Sequence, residues 1–265
     1  MASKKIEPAL RTIILADKIG IHFGFKTKLK YRLIQNMKTI GPSNRATEIT
    51  KMLVKKYGPF EPVRKLKPVE ELVYTILSQH TSDINSERAY KNLLAKFGSL
   101  HAVAKADTTL IANVIKSGGL NKIKAVRIKN ILNIILTKLG NLDLSFLGEL
   151  PLEEAKSWLK DLPGIGPKSA AVILCFSLDM PAMAVDTHVY RVSKRLQLIE
   201  EHISADASHD ILECMVASTE VYKFHSALIN HGRKTCKAIN PNCSDCILSD
   251  ICPYPNKPSR QNSKV

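Results

Sequence analysis

The sequence predicts an all-α protein, and three observations lead there. Apolar residues recur at helical spacing in segments of roughly 10–15 residues, as with Leu72, Ile76 and Leu77, or Ala155, Trp158, Leu159 and Leu162. Turn signals punctuate those segments at Tyr57-Gly58-Pro59, Ser117-Gly118-Gly119 and Leu162-Pro163-Gly164. No period-2 run and no Asn-Gly type hairpin dipeptide interrupts the pattern. At 265 residues with 45% hydrophobic content the chain can bury a real core, which excludes wholesale disorder.

The charge narrows the partners. Lys and Arg number 39 against 24 Asp and Glu, a formal net charge of +15. Such a chain favours a polyanion, nucleic acid before a membrane surface, because binding phosphates releases their counterions. The most apolar stretch, Ser169 to Val185, is broken by Asp179 and Pro181, short of the ~20 clean residues that span a bilayer. No signal-peptide pattern opens the sequence, so a reducing cytoplasm is expected, with nucleoid association if the source is prokaryotic. Residues 1–41 carry nine basic residues against Glu7 and Asp17, +7 of the total. That segment reads either as a DNA-contacting arm or as a loose extension, with Met37 as an alternative start.

From Asn44 onward the helices begin, and the densest chemistry lies at Asp161-Leu-Pro-Gly-Ile-Gly-Pro-Lys-Ser-Ala170. One amphipathic helix ends at Asp161 or Leu162; a second starts at Pro167, where a missing N–H costs nothing, and runs to about Leu178. Gly164 and Gly166 open the turn to conformations and close approaches denied to a Cβ. Its free amides would cradle a phosphate, although a Gly-Pro turn between two core helices reads the same way. Lys168 adds a preference. It stands in the first turn of the second helix, where the macrodipole opposes another cation and favours a neutral, nucleophilic amine. Eighteen residues on, Val185-Asp186-Thr-His-Val-Tyr-Arg191 offers a carboxylate that suits a helix cap. Near an amine, the same carboxylate could take a proton or stabilise positive charge on a sugar.

Four of the six cysteines, Cys236, Cys243, Cys246 and Cys252, follow C-x6-C-x2-C-x5-C. Four thiolates within 17 residues repel one another unless a cation neutralises them. Tetrahedral zinc and a [4Fe-4S] cluster both meet that need, and reduced free thiols are the remaining reading. Cys175 and Cys214 stand in apolar helical contexts as ordinary buried cysteines.

These motifs together resemble the endonuclease III family of helix-hairpin-helix, iron–sulfur DNA glycosylase/AP lyases. Leu162-Pro-Gly-Ile-Gly-Pro-Lys168-Ser-Ala is similar to its hairpin with the catalytic lysine, and Val185-Asp186-Thr-His188 to the strip with its catalytic aspartate. Leu77-Ser-Gln-His-Thr-Ser-Asp83 resembles the helix end and loop that fill the gap left by an extruded nucleotide. The likeness covers about residues 44–255. It implies two helical domains: 71–181 as a helical barrel with the hairpin, and 42–70 joined to 182–258 around a [4Fe-4S] cluster on the four cysteines. Residues 1–41 and 259–265 would lie outside both.

The resemblance also implies a chemistry. Lys168 would attack C1′ and expel a damaged base, Asp186 would assist, and the resulting imine would permit β-elimination on the 3′ side of the abasic site. The partner would be double-stranded DNA with a damaged or abasic site, bound by a monomer through Gly164, Gly166, Gln79, His80 and Lys124. Three departures matter. His80 stands where the family's wedge is usually glutamine, with Gln79 beside it; Thr75 stands where the adenine-removing branch keeps a glutamate; and only Lys237 is charged between Cys236 and Cys243. Oxidised pyrimidine is therefore the expected target by family analogy. The competing readings are a monofunctional glycosylase using Asp186-activated water, a non-catalytic helix-hairpin-helix DNA-binding module, and a zinc-stapled DNA-binding protein.

Overall fold

A computed structural model describes residues 43–61 and 66–254. The basic segment 1–41 and the tail 259–265 lie outside the described residues. Every regular element among the described residues is helical: eleven α-helices and four short 3-10 turns, with no strand. None of these helices is long and apolar enough to cross a membrane.

Two helices form the centre. α2, as it is numbered among the described helices, spans Pro68–Ser78; it opens with Pro68 in its first turn and with Glu70 accepting from the Lys67 amide at 3.2 Å. It buries Val69, Leu72, Val73, Ile76 and Leu77. α8 (Pro167–Leu178) packs against it and buries Ala170, Ala171, Ile173, Leu174 and Cys175. Each fully enclosed leucine or isoleucine here contributes about 1.5–3 kcal/mol.

Around this pair the chain caps its helices locally. Ser82 caps α3 (Asp83–Phe97) and Ser99 caps α4 (Leu100–Lys105). Asp107 caps α5 (Thr108–Val114), where the Leu110 and Thr109 amides hold its carboxyl below the usual range. α6 (Asn121–Leu139) and α7 (Leu152–Lys160) then lead to the hairpin. After α8 come α9 (Thr187–Arg195), α10 (Ala205–Met215) and α11 (Val221–Lys234).

The first described helix, α1 (Asn44–Tyr57), returns to the last. It packs on α11, and Tyr57 Oη meets Thr235 Oγ1 at 2.7 Å and His231 Nδ1 at 3.2 Å. The Ser43 amide donates to the Met215 carbonyl at 2.8 Å, and Arg45 Nη2 donates to the Ile251 carbonyl at 3.1 Å. Helix α7 is tied to α10 by a buried ion pair, Lys156 Nζ to Glu213 Oε1 at 2.7 Å. Burial alone would lower the Lys156 pKa, but the Glu213 and Glu153 carboxylates together outweigh it and raise it.

Candidate active site and cysteine centre

The hairpin forms where its punctuation predicts. Leu162 and Ile165 are buried and anchor the turn, while Pro163, Gly164 and Gly166 face outward. Only one glycine is required by conformation. Gly164 has φ +78°, and a Cβ there would come within 2.5 Å of Arg127 Nε. Gly166 has an ordinary extended backbone at φ −93°, and a Cβ would meet nothing within 4 Å. The expectation that both turn residues need glycine for backbone reasons is thus corrected for Gly166. What its glycine leaves is open space over the amides at the start of α8.

Arg127 joins the hairpin to the loop after α2. Its Nη1 donates to Gln79 Oε1 at 2.6 Å, and Gln79 Nε2 reaches the Gly164 carbonyl at 3.5 Å. His80 follows, exposed and left-handed at φ 53°. Nearby, the Thr81 hydroxyl donates to the Gly118 carbonyl. Lys124 closes this junction: its Nζ donates to the Leu77 carbonyl at 2.7 Å, the Gly118 carbonyl at 2.7 Å and Thr81 Oγ1 at 2.9 Å. Lys124 is only 2% exposed, and burial pushes its pKa down to about 8. Its expected direct contact with DNA is therefore corrected, because an ammonium enclosed by three oxygens cannot also reach a phosphate. Lys124 positions the loop bearing Gln79 and His80.

The same junction exposes a residue that sequence reasoning passed over. Leu120 is 53% exposed and left-handed at φ 46°, at the start of α6 beside the 116–119 turn. A leucine held in a strained, solvent-facing conformation is uncommon. The one signal in the sequence was an apolar residue directly after Gly118-Gly119.

Lys168 is exposed in the first turn of α8 and lines a cavity of about 450 Å³. Ser169, Val172 and Phe176 continue that wall along α8; Thr75, Gln79 and His80 come from α2 and its loop, and Tyr222 from α11. Asp186 does not line this cavity. It caps α9, accepting from the Val189 amide at 2.7 Å, so its predicted capping is observed. The extended residues before it are held by three side chains. Glu213 accepts from the Met183 amide at 2.9 Å; His209 donates Nδ1–H to the Met183 carbonyl at 2.7 Å, and His225 donates to the Ala184 carbonyl at 2.7 Å. Burial lowers the pKa of His225, against opposing pulls from Ala184 and from the Asp186 carboxylate, while the Lys168 ammonium lowers it further. Burial thus keeps His225 neutral where it holds the strip two residues before Asp186.

The four clustered cysteines line a second cavity with Arg195, His231 and Leu248. Arg195 Nη1 donates to Cys236 Sγ at 3.2 Å, and the Leu248 amide donates to Cys246 Sγ at 3.4 Å. Burial raises the Cys246 and Cys252 thiols, and the neighbouring cysteines raise them further. Thiols that burden one another in this way are relieved by a positively charged core. Four cysteines lining one space, two of them accepting from Arg195 and the Leu248 amide, fit a metal cluster held by thiolates.

Both regions of the chain match known protein families. Residues 73–216 match the HhH-GPD superfamily of base excision DNA repair proteins, and residues 236–252 match the iron–sulfur binding domain of endonuclease III. The chain belongs to this superfamily and, within it, to the endonuclease III family. Endonuclease III of Thermotoga maritima is 32% identical over 209 residues, which cover 78% of this chain and 92% of that protein. Endonuclease III of Escherichia coli K12 is 32% identical over 190 residues, 72% of this chain and 85% of that one. A structure of a trapped endonuclease III–DNA covalent intermediate superposes with a TM-score of 0.69 at 28% identity, covering 80% of this chain and 95% of that one. The protein is accordingly a base-excision-repair DNA glycosylase/lyase that carries a [4Fe-4S] cluster.

Proposed function

We propose that the enzyme binds duplex DNA as a monomer, flips a damaged base, by family analogy an oxidised pyrimidine, into the Lys168 cavity, and cuts the strand there. Two lobes would grip the duplex, 71–181 with the hairpin and 42–70 plus 182–258 with the cluster. The observation that carries the reading is the exposed Lys168 amine on the wall of a base-sized cavity, directly after a turn with open amides.

Lys168 Nζ attacks C1′ of the flipped nucleotide, and the glycosidic bond breaks with its electron pair leaving on the base, which takes up a proton. Asp186, held by its cap and by the Glu213, His209 and His225 contacts, stabilises the positive charge that builds on the sugar. Ring opening gives an imine between Lys168 and C1′. That imine acidifies the C2′ proton; its loss expels the 3′ phosphate, and water later releases the lysine. The amides around Gly164 and Gly166 hold a backbone phosphate without reading sequence. Gln79, His80 and Leu120 occupy the space the flipped nucleotide leaves. The cluster on Cys236, Cys243, Cys246 and Cys252 neutralises the thiolates and fixes the C-terminal segment.

Borohydride trapping on a duplex with one abasic site tests the reading. Wild type should give a covalent adduct, and Lys168→Ala should give none while still binding DNA. An adduct from Lys168→Ala would assign the nucleophile elsewhere. No adduct from folded, cluster-loaded wild type would leave the monofunctional or binding-only alternatives.

A further inference from the structure

One group in the Lys168 cavity has no part in the chemistry above. Glu71, on α2, is only 8% exposed, yet it lines the cavity. Its neighbours along the helix, Val69, Leu72 and Val73, are apolar and buried, as core packing requires. A carboxylate among them needs polar partners that a leucine would not. One turn later Thr75, 7% exposed and on the same wall, donates its hydroxyl to Glu71 Oε1 at 3.4 Å. The cavity thus carries an acceptor and an adjustable hydroxyl one helical turn apart. The aromatic walls beside them are themselves braced: Tyr74 packs edge-on to Tyr90 at 5.6 Å and Phe176 edge-on to Tyr222 at 5.2 Å.

We propose that Glu71 and Thr75 are the specificity pair of this pocket and read the imide edge of a flipped pyrimidine. This inference rests on the glycosylase reading and names what that site selects. An ionised carboxylate only accepts hydrogen bonds, whereas a hydroxyl both donates and accepts. Glu71 takes the ring N3–H, and the Thr75 hydroxyl turns from Glu71 to the adjacent ring carbonyl. A thymine- or uracil-derived base offers that N–H beside a carbonyl whether its ring is oxidised or saturated. A base with a lone pair or an alkyl group at N3 leaves the buried carboxylate facing an acceptor or a methyl group. Sites built to bond an N–H reject analogues lacking it far more strongly than apolar pockets reject an extra methylene.

The test uses three duplexes, carrying 5,6-dihydrothymine, its N3-methyl derivative, or a preformed abasic site. Wild type should excise dihydrothymine and process the N3-methyl base roughly tenfold to a hundredfold more slowly. That loss would arise although the methyl group weakens pairing and eases flipping. Glu71→Leu should slow on dihydrothymine by a similar factor and treat the two bases alike, and Glu71→Gln, which keeps an amide oxygen, should fall between. All three proteins should cleave the abasic duplex at one rate, because no base remains to be read. Equal wild-type rates on the two bases, or undiminished discrimination by Glu71→Leu, would overturn the proposal. So would a parallel loss of abasic cleavage in Glu71→Leu, which would make Glu71 a structural residue. Wild type inactive even on the abasic duplex would instead defeat the glycosylase/lyase reading beneath it.

Discussion

Lys124 illustrates how little a residue's type says about its task. In the sequence it belongs to a basic run with Lys122, Arg127 and Lys129, and any of the four could face a phosphate. In the fold it satisfies the Leu77 and Gly118 carbonyls, which lie 47 and 6 residues away and which no local pattern connects. Lys124→Met keeps the stem but strips the Leu77 carbonyl of this donor and leaves the Gly118 carbonyl with the Thr81 hydroxyl. The expected cost is about 1–3 kcal/mol, the usual penalty for buried groups stripped of a partner. It should be read as a lower urea midpoint at unchanged slope. The loop carrying Gln79 and His80 should loosen, so base excision should fall by more than abasic cleavage does. Lys168 and Asp186 were legible for the opposite reason. Each sits at a helix start marked by its own neighbours, Gly166-Pro167 and Thr187, so local chemistry placed them.

Among elements, the same contrast separates the hairpin from the strip before Asp186. The hairpin's punctuation is contiguous, and α8 begins at Pro167 as the sequence predicts. Residues 182–185 between Pro181 and the Asp186 cap have no such marks, and the partners of Met183 and Ala184 come from α10 and α11. Two of those partners are buried histidines whose pKa values burial lowers. The sign follows from proton counting. An unfolded histidine titrates near ~6.5, so as pH falls through that value the unfolded chain binds protons that the fold refuses. The contribution to stability is whole above ~6.5 and is lost toward the depressed folded pKa. His209→Gln, whose amide can still donate to the Met183 carbonyl, should flatten the fall by up to ~1.4 kcal/mol per pH unit between pH ~6.5 and 5. Unfolding free energies of wild type and variant, measured across that range, give the difference directly. Parallel profiles would mean that His209 titrates normally in the fold.

At the scale of the whole molecule, the cysteine cluster closes a circuit that its spacing did not disclose. C-x6-C-x2-C-x5-C announced a centre, but not what the centre is built against. The segment that follows α11 is gripped by Arg195, which donates to Cys236 Sγ, to the Lys237 carbonyl at 2.7 Å and to the Ala238 carbonyl at 3.1 Å. It also receives α1 from the other end of the described chain, through Arg45 to Ile251 and Tyr57 to Thr235. The α2–α8 core has no share in these contacts. Cys243→Ser should therefore lose its iron and the absorbance near ~400 nm. It should also lose several kcal/mol of local stability, since cluster binding is coupled to folding of the segment that supplies its ligands. The loss should be uneven. Hydrogen exchange should accelerate in α1, in the last turn of α9 and in 235–254, while amides of α2 and α8 keep their protection. DNA affinity should fall with it, because the open amides of the hairpin would then hold the duplex without the opposing lobe. Uniform acceleration through α2 and α8 would show instead that the cluster stabilises one indivisible core. Undisturbed exchange in α1 would show that the contacts at Arg45 and Tyr57 hold without it.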